Sequence, residues 1–326
     1  MTMNKSLLNI FFALVLTACS AAQGEELSNY PEDGVVRVRV GVETRVSYTD
    51  NNLNQFAITI VNPKSVAYSY NNYWAILKNG EWRYDGANLS YSPLLWQNAK
   101  QPVDILAYAP TGIFTGYGPS SIDQKDYAFS VKQDQNLEDD TSSDFIVCKR
   151  LGFVPGTDLN SNGELELNFK HVLSLLKINI ILGNEYNRPS IPSENPIKSL
   201  SVGGTILDAL CDLSQSPVTA SANNEKSPQH VATFCTGWKK SENENDNARC
   251  SYECILVPQT VKAGNFSVSL SIDGVLYEWK SSQPVTLESG KSHELTLMMG
   301  KDVVLVGGIS SLPWDTSAPV TNLETD

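Results

Sequence analysis

The sequence has little positive charge, only three histidines and no long hydrophobic run beyond its N-terminal segment. Its 24 lysines and arginines face 36 aspartates and glutamates, which gives a formal net charge of −12. A chain this acidic, with no visible basic patch, is poorly suited to nucleic acid, whose phosphates require lysine and arginine. We therefore expect no nucleic-acid partner. No later apolar run could span a bilayer as a helix, so we expect the rest of the chain to lie outside the membrane.

The motifs of common enzyme classes are also missing. The sequence has no Gly-x-Ser-x-Gly elbow, no Walker loop and no dinucleotide fingerprint. His171, His230 and His293 lie in three separate segments, and we expect His171 to be a hydrogen-bonded structural residue. Ser174 and Lys177 have a Ser-x-x-Lys spacing but lie in an apolar run that favours a core. The sequence therefore predicts no catalytic residue and no cofactor, and we expect a protein that is not an enzyme.

Two patterns have part of the spacing of a metal site. Residues 158–163 offer oxygen ligands at alternate positions, as in a calcium loop, but Phe169 occupies the position of the bidentate glutamate. A turn rich in Asx residues is the simpler interpretation. Cys250 and Cys254, together with Cys235 and His230, make a zinc site conceivable, but no second cysteine pair has matching spacing. We therefore predict no metal site, and expect disulfides or buried thiols with at least one cysteine left free.

Alternation of apolar and polar residues dominates the chain and predicts an all-β fold. Val36, Val38, Val40 and Val42 share one face of the first predicted strand, which is typical of a half-buried strand. Further on, Asn79-Gly80 separates two strand-like segments and predicts a hairpin with a tight primed turn. The 326 residues are enough for two domains, each with its own core.

Residues 163–182 predict two strands joined by a corner. Apolar residues at 165, 167 and 169 share one face, and those at 178, 180 and 182 resume the alternation with the opposite parity. Such a change sends side chains to the other face unless the chain bends or leaves its sheet. We therefore expect this segment to join two β units.

The first 18 residues are typical of an export signal. Lys5 supplies a positive charge, and residues 7–16 are apolar but too few to span a bilayer. The residues 16–19, Leu-Thr-Ala-Cys, resemble the lipobox of bacterial lipoproteins, in which the cysteine is lipidated and becomes the first mature residue. We predict a signal peptide over residues 1–18, lipid on Cys19 and a flexible tether over residues 19–34. An ordinary secretory signal cut nearby is the alternative.

Taken together, these segments resemble the fimbrillin family, the lipoprotein-derived subunits of bacterial type V pili. The matching segments, in family order, are 16–19, 82–96, 103–110, 143–147, 167–174, 287–291 and 309–314. The resemblance implies two tandem β-sandwich domains of transthyretin-like topology, which we assign to residues 35–160 and 161–326. It also implies a surface lipoprotein of the outer membrane or fimbrium, with other fimbrial subunits as partners and a lipid anchor in the membrane.

The resemblance also implies a way of assembly. In polymerising members of the family, a trypsin-like protease cuts after an arginine and removes the first strand, and a strand of another subunit fills the groove. The matching positions are Arg37, Arg39 and Arg45. We favour Arg45 because residues 49–54 beyond it are loop-like; alternatively, all three are solvent-facing strand residues. The exchangeable strand is the one with the four alternating valines.

One feature departs from a stalk subunit of that family. A good donor tail is a long alternating apolar strand, whereas residues 315–326 hold three apolar residues around a proline. This composition favours a minor, tip or accessory subunit that acts in adhesion.

A rival function is glycan binding by an aromatic platform. The first half of the chain is dense in aromatic residues, namely Tyr70, Tyr73, Trp74, Trp82, Tyr84, Tyr91 and Trp96. Such rings could stack on sugars at the surface, although aromatics at strand spacing more often fill a sandwich core.

Overall fold

The computed structural model describes residues 29–42, 48–49, 52–85, 92–111, 118–138, 140–183, 194–242, 246–272, 274–300 and 304–314. Their regular structure is almost entirely β-strand, so the predicted all-β class is confirmed. Within these ranges the exceptions are a 3-10 turn at Val66–Tyr68 and one turn of α-helix, α1, at Pro155–Asp158. The strands are β1 (Arg37–Val42), β2 (Gln55–Val61), β3 (Tyr70–Lys78), β4 (Glu81–Asp85), β5 (Val103–Ala109), β6 (Tyr127–Ser130), β7 (Ile146–Phe153), β8 (Glu164–His171), β9 (Ser174–Leu182), β10 (Ile197–Thr205), β11 (Asp208–Asp212), β12 (Thr219–Ala222), β13 (Gln229–Ala232), β14 (Phe234–Lys239), β15 (Arg249–Leu256), β16 (Gln259–Val261), β17 (Ser267–Ile272), β18 (Val275–Lys280), β19 (Val285–Leu287), β20 (Lys291–Met299) and β21 (Val304–Pro313).

The first sheet has seven strands in the order β1-β8-β7-β5-β2-β3-β4, and both of its faces are buried near the centre. In β5, Ile105 and Ala107 enter one core, while Leu106 and Tyr108 enter another. Successive side chains of a strand point to opposite faces, so one sheet serves two cores. We call the core that contains Ile105 the first core, and the core that contains Leu106 the second core.

The seven-stranded sheet curls around the first core. The rings of Phe56 on β2 and Phe169 on β8 lie 5.5 Å apart, although β5 and β7 separate these strands in the sheet. The ring of Trp82 on β4 lies 4.8 Å from Phe56. Curling therefore brings the two ends of the sheet together, and the apolar faces of β1 and β8 close the first core.

The second half of the chain surrounds the second core with several smaller sheets. Their strand orders are β13-β10-β17-β18, β14-β15-β9-β20-β21, β12-β11-β6 and β16-β19. Buried residues of these strands pack together with the outer face of the first sheet. The two halves of the chain thus share the second core.

The predicted corner near residue 172 is confirmed, and strands pair across the predicted division at 160/161. β8 ends at His171 and β9 begins at Ser174, and the two strands lie in different sheets. β8 pairs with β1 and β7, so it completes the first sheet. Conversely, β6 precedes residue 160 in the sequence but pairs with β11 of the second half of the chain. Pairing with distant strand edges, rather than position in the chain, decides which unit a strand joins.

The predicted hairpin is confirmed. β3 and β4 pair from Trp74 opposite Asp85 to Lys78 opposite Glu81. The two residues between them, Asn79-Gly80, have φ angles of 55° and 82°, as a primed turn requires.

Candidate functional site at the first strand

β1 lies at an edge of the first sheet, next to β8. The two strands run parallel over six residue pairs, from Arg37 opposite Glu164 to Val42 opposite Phe169. β7, on the other side of β8, pairs with it only at residues 170–171. β8 therefore takes most of its ladder from β1, and loss of β1 would leave an open strand edge.

The apolar side of β1 packs on the first core. Val38 is 7% exposed, and Val40 and Val42 are half-buried against the same core. Val36 is fully buried but lies one residue before β1 begins. The four valines thus face inward, as their alternation predicts. That this strand exchanges stays a prediction.

The segment before β1 is fixed on the first sheet. Val36 N donates a hydrogen bond to Leu94 O at 2.8 Å. Further back, Asn29 Nδ2 donates to Leu159 O at 3.0 Å. Within the predicted tether, residues 19–34, the described part from residue 29 onwards thus makes hydrogen bonds to the body of the protein.

The three arginines predicted for processing have different surroundings. Arg37 donates to the two carboxylate oxygens of Asp33 at 3.0 and 2.5 Å, and these bonds hold the pKa of Asp33 down at about 2. Arg39 is exposed in the middle of β1. Both belong to a paired strand, a poor conformation for a protease substrate. Arg45, and the predicted lipidation site Cys19, lie outside the described residues.

On the outer side of β1 and β8, basic residues lie opposite acidic ones. Arg37 faces Glu164, and Arg39 faces Glu166. Opposite charges at facing positions favour this register over a slip by one residue. A strand that takes the place of β1 would therefore fit best with apolar residues inward and basic residues outward.

A cleft of about 1070 Å³ opens where β7 and β8 diverge, and we call it the cationic cleft. Lys149, Arg150, Lys170 and Lys291 line it, whereas no aspartate or glutamate among the described residues does. Arg150 Nη1 donates to Glu166 O at 3.4 Å and so reaches across the gap between the two strands. In a chain with an excess of acidic residues, this concentration of positive charge favours an anionic ligand.

His171 forms a buried pair with Asp144 beside this cleft. Its Nδ1 lies 2.8 Å from Asp144 Oδ1, and the other carboxylate oxygen accepts from Tyr48 N at 3.2 Å. The imidazole stacks on Trp314 at 4.2 Å between ring centroids. The prediction that His171 is a hydrogen-bonded structural residue is confirmed.

The other motifs considered as sites also have structural partners. His293 Nε2 accepts from Glu288 N at 2.9 Å, and burial lowers the pKa of His293. Asn160 Oδ1 accepts from the main-chain nitrogens of residues 162 and 164, so the predicted Asx-rich turn is confirmed. Within the part of the chain that the structure describes, no three His, Cys, Asp or Glu side chains are placed to hold a metal ion. No described helix is long and apolar enough to cross a membrane.

The predicted aromatic platform is wrong for the rings that the structure describes. Tyr84 and Trp96 are buried in the first core, and Trp96 stacks on Phe153 at 5.7 Å. The remaining described rings pack partly buried against one of the two cores, namely Tyr70, Tyr73, Trp74 and Trp82. Tyr91 lies outside the described residues. The hydrophobic effect favours this placement, because the rings bury apolar surface against the two cores.

Comparison with known proteins identifies one family and a set of similar structures. Residues 44–314 match the fimbrillin-like family. Comparison with curated proteins finds no match. The family match begins within the segment that follows β1 and ends at Trp314.

Two solved structures share the fold. One, a candidate cell adhesion protein from Bacteroides ovatus, has a TM-score of 0.61 at 12% identity, over 87% of this chain and 99% of that one. Another, from Bacteroides uniformis, has a TM-score of 0.55 at 15% identity, over 87% and 99%. The tip fimbrial protein Mfa3 from Porphyromonas gingivalis, truncated at its C-terminus, has a TM-score of 0.47 at 10% identity, over 80% and 94%.

Proposed function

The chain belongs to the fimbrillin-like family, and from that premise we propose that it is a non-enzymatic subunit of a cell-surface fimbria. It occupies a tip or accessory position, is anchored in the outer membrane through lipid on Cys19 and assembles with other fimbrial subunits by exchange of its first strand. The observation that carries this proposal is the pairing of β8 with β1 over six residues but with β7 over two.

Removal of β1 would create a site for another strand. The edge of β8 would lose its ladder partner, and the apolar surface under Val38 and Val40 would meet water. Both losses are repaired when an extended segment adds itself to the edge, since main-chain bonds supply affinity and side-chain pockets supply specificity. Glu164 and Glu166 favour an incoming strand with basic outward residues.

The acidic tail supports a role as acceptor rather than donor. Residues 315–326 contain Asp315, Glu324 and Asp326 together with a proline. The apolar residues of this segment, Ala318, Val320 and Leu323, do not keep the regular alternation of the β1 valines, so it would fill the apolar side of an open strand edge poorly. A subunit that accepts a strand but donates poorly fits the end of a filament.

The state of the N-terminus in native cell envelopes tests this proposal. We expect mass spectrometry to find either lipid on Cys19 or a mature chain that starts just after one of the arginines at 37, 39 or 45. Electron microscopy of cells with and without this protein should show a difference in surface filaments. An intact, unlipidated N-terminus would contradict the proposal.

A second candidate function is favoured by the cationic cleft: the binding of acidic glycans. Sulfate and carboxylate groups pair well with Lys149, Arg150 and Lys291. We expect sulfated or uronic-acid glycans to bind on an array where neutral glycans do not. The double variant Lys149→Gln/Lys291→Gln should lose this binding, whereas the exposed control Lys226→Gln should keep it. Equal binding of neutral glycans would rule this function out.

A further inference from the structure

Two cysteines without a role in the proposed function lie side by side. The Sγ atoms of Cys235 on β14 and Cys250 on β15 are 3.7 Å apart, and both thiols are free. We propose that this pair is a site of thiol–disulfide exchange, which reacts with small disulfides such as oxidised glutathione and closes into a Cys235–Cys250 disulfide.

Strand geometry brings the two side chains to the same face. Cys235 lies opposite Tyr252, and Cys250 lies opposite Trp238, with a bulge between positions 235 and 237. The cysteines are therefore diagonal neighbours, a relation in which side chains on one sheet face can touch. Rotation of the side chains can bring the sulfurs to the bonding distance of about 2.05 Å.

The two thiols differ in exposure, which gives them different roles. Cys235 is half-buried on the edge strand, whereas Cys250 is 1% exposed. Burial raises the pKa of Cys250 to about 12, so it stays a thiol until its neighbour has reacted. Asn195 Nδ2 lies 2.8 Å from Cys250 Sγ and 3.6 Å from Cys235 Sγ, where it can donate to a sulfur that gains negative charge.

The reaction balances in two exchange steps. The Cys235 thiolate attacks a disulfide RSSR, forms the mixed disulfide Cys235–SR and releases RS⁻, which takes the proton that Cys235 has lost. Cys250 then attacks Cys235 Sγ, the bond to SR breaks, and the Cys250 proton goes to the second RS⁻. Two protein thiols are oxidised, and one external disulfide is reduced to two thiols.

The product would tie the edge strand to the interior of its sheet. β14 is the outermost strand of its five-stranded sheet, and β15 lies between it and β9. The new bond would close the loop of residues 235–250 and restrict the unfolded chain. The other described cysteines, Cys148, Cys211 and Cys254, are buried, and Cys235 alone among the five is partly accessible.

Treatment of the full chain with oxidised glutathione tests the proposal. After alkylation of free thiols and digestion with trypsin, we expect peptide 227–239 joined to peptide 250–262. Because the second peptide also contains Cys254, the matched control is Cys254→Ser, which should give the same cross-link. The variant Cys250→Ser should retain one glutathione on Cys235, and Cys235→Ser should take up none at Cys250.

Either of two results would overturn the proposal. One is a wild-type chain that keeps both thiols alkylated after this treatment. The other is a cross-link that persists in Cys250→Ser, since Cys254 would then be the partner. The first result is measured on the wild-type chain, so it does not depend on whether a variant folds. For the variants, circular dichroism shows whether each has kept its β-structure.

Discussion

Val38 of β1 lies opposite Leu165 of β8 in a parallel register, and both side chains are buried in the first core. These strands are far apart in the sequence, and β1 is attached to the sheet through this one neighbour among the described strands. β1 is held by main-chain hydrogen bonds along one side and by apolar side chains in the core. A strand from another chain could make the same contacts.

Replacement of Val38 by aspartate should weaken the fold, because a carboxylate would enter an apolar core without a partner. We expect Val38→Asp to lower the free energy of unfolding by about 3 kcal/mol in urea denaturation. The matched control is Val66→Asp, since Val66 is 90% exposed. Equal losses in the two variants would contradict the burial of Val38.

Loss of the Asp144 carboxylate should remove the acceptor of two hydrogen bonds in the buried corner beside His171. Asp144 binds His171 Nδ1 and Tyr48 N, so we expect Asp144→Ala to cost about 3 kcal/mol of unfolding free energy. Trp314 fluorescence should change as well, because His171 stacks on its ring. The exposed residue Asp123 gives the control Asp123→Ala. Wild-type stability in Asp144→Ala would show that the pair does not hold this corner.

Glu253 should give the fold a dependence on pH. Burial raises the pKa of Glu253 to about 7 from a usual value of 4.5, and Lys177 partly offsets this rise. Between these two values the folded state binds more protons than the unfolded state, so the contribution of Glu253 to stability falls as pH rises from about 4.5 to about 7.

Comparison of Glu253→Gln with the wild type at pH 5 and pH 8 measures this contribution. We expect the variant to gain up to about 3 kcal/mol in unfolding free energy relative to the wild type at the higher pH. The control Glu225→Gln makes the same substitution at an exposed carboxyl. If the difference in unfolding free energy between Glu253→Gln and the wild type were the same at pH 5 and pH 8, the raised pKa of Glu253 would be refuted.

The turn between β3 and β4 should require glycine for its backbone angle rather than for space. A Cβ added at Gly80 or at Gly237 would meet no atom within 4 Å, but Gly80 has a φ of 82°. We expect Gly80→Ala to cost about 1 kcal/mol and Gly237→Ala to change stability by about 0.5 kcal/mol or less. Thermal unfolding of both variants checks this, and an equal effect would argue against a primed turn.

Alternation in the sequence predicted individual strands well but not their sheets. Residues 165, 167 and 169 are buried in β8, as their period of two indicates. Their membership of the first sheet depends on an edge that β1 offers from far away in the sequence, and no local pattern records that pairing. Alternation therefore predicted the corner near residue 172 but not the pairing of β8 with β1 across the proposed division at 160/161.

Periodicity assigns side chains to faces, but it does not say which face meets water. Tyr84 and Trp96 fit both an exposed platform and a core by their spacing, and the curl of the first sheet buries them. Similarly, Cys235 and Cys250 meet because β14 and β15 pair with a bulge between positions 235 and 237. The sequence offers no sign of that register, so the partner of each cysteine could not be predicted.

Binding of a peptide to the chain after removal of its first strand tests the central claim most directly. The protein would be cut with a trypsin-like protease and freed of the protease, and a labelled peptide of residues 34–44 would then be added. We predict that the remaining folded chain binds this peptide with a Kd of about 1 μM or lower, and the same peptide with Val38→Asp far more weakly. A folded chain that has lost β1 and binds neither peptide would contradict the account.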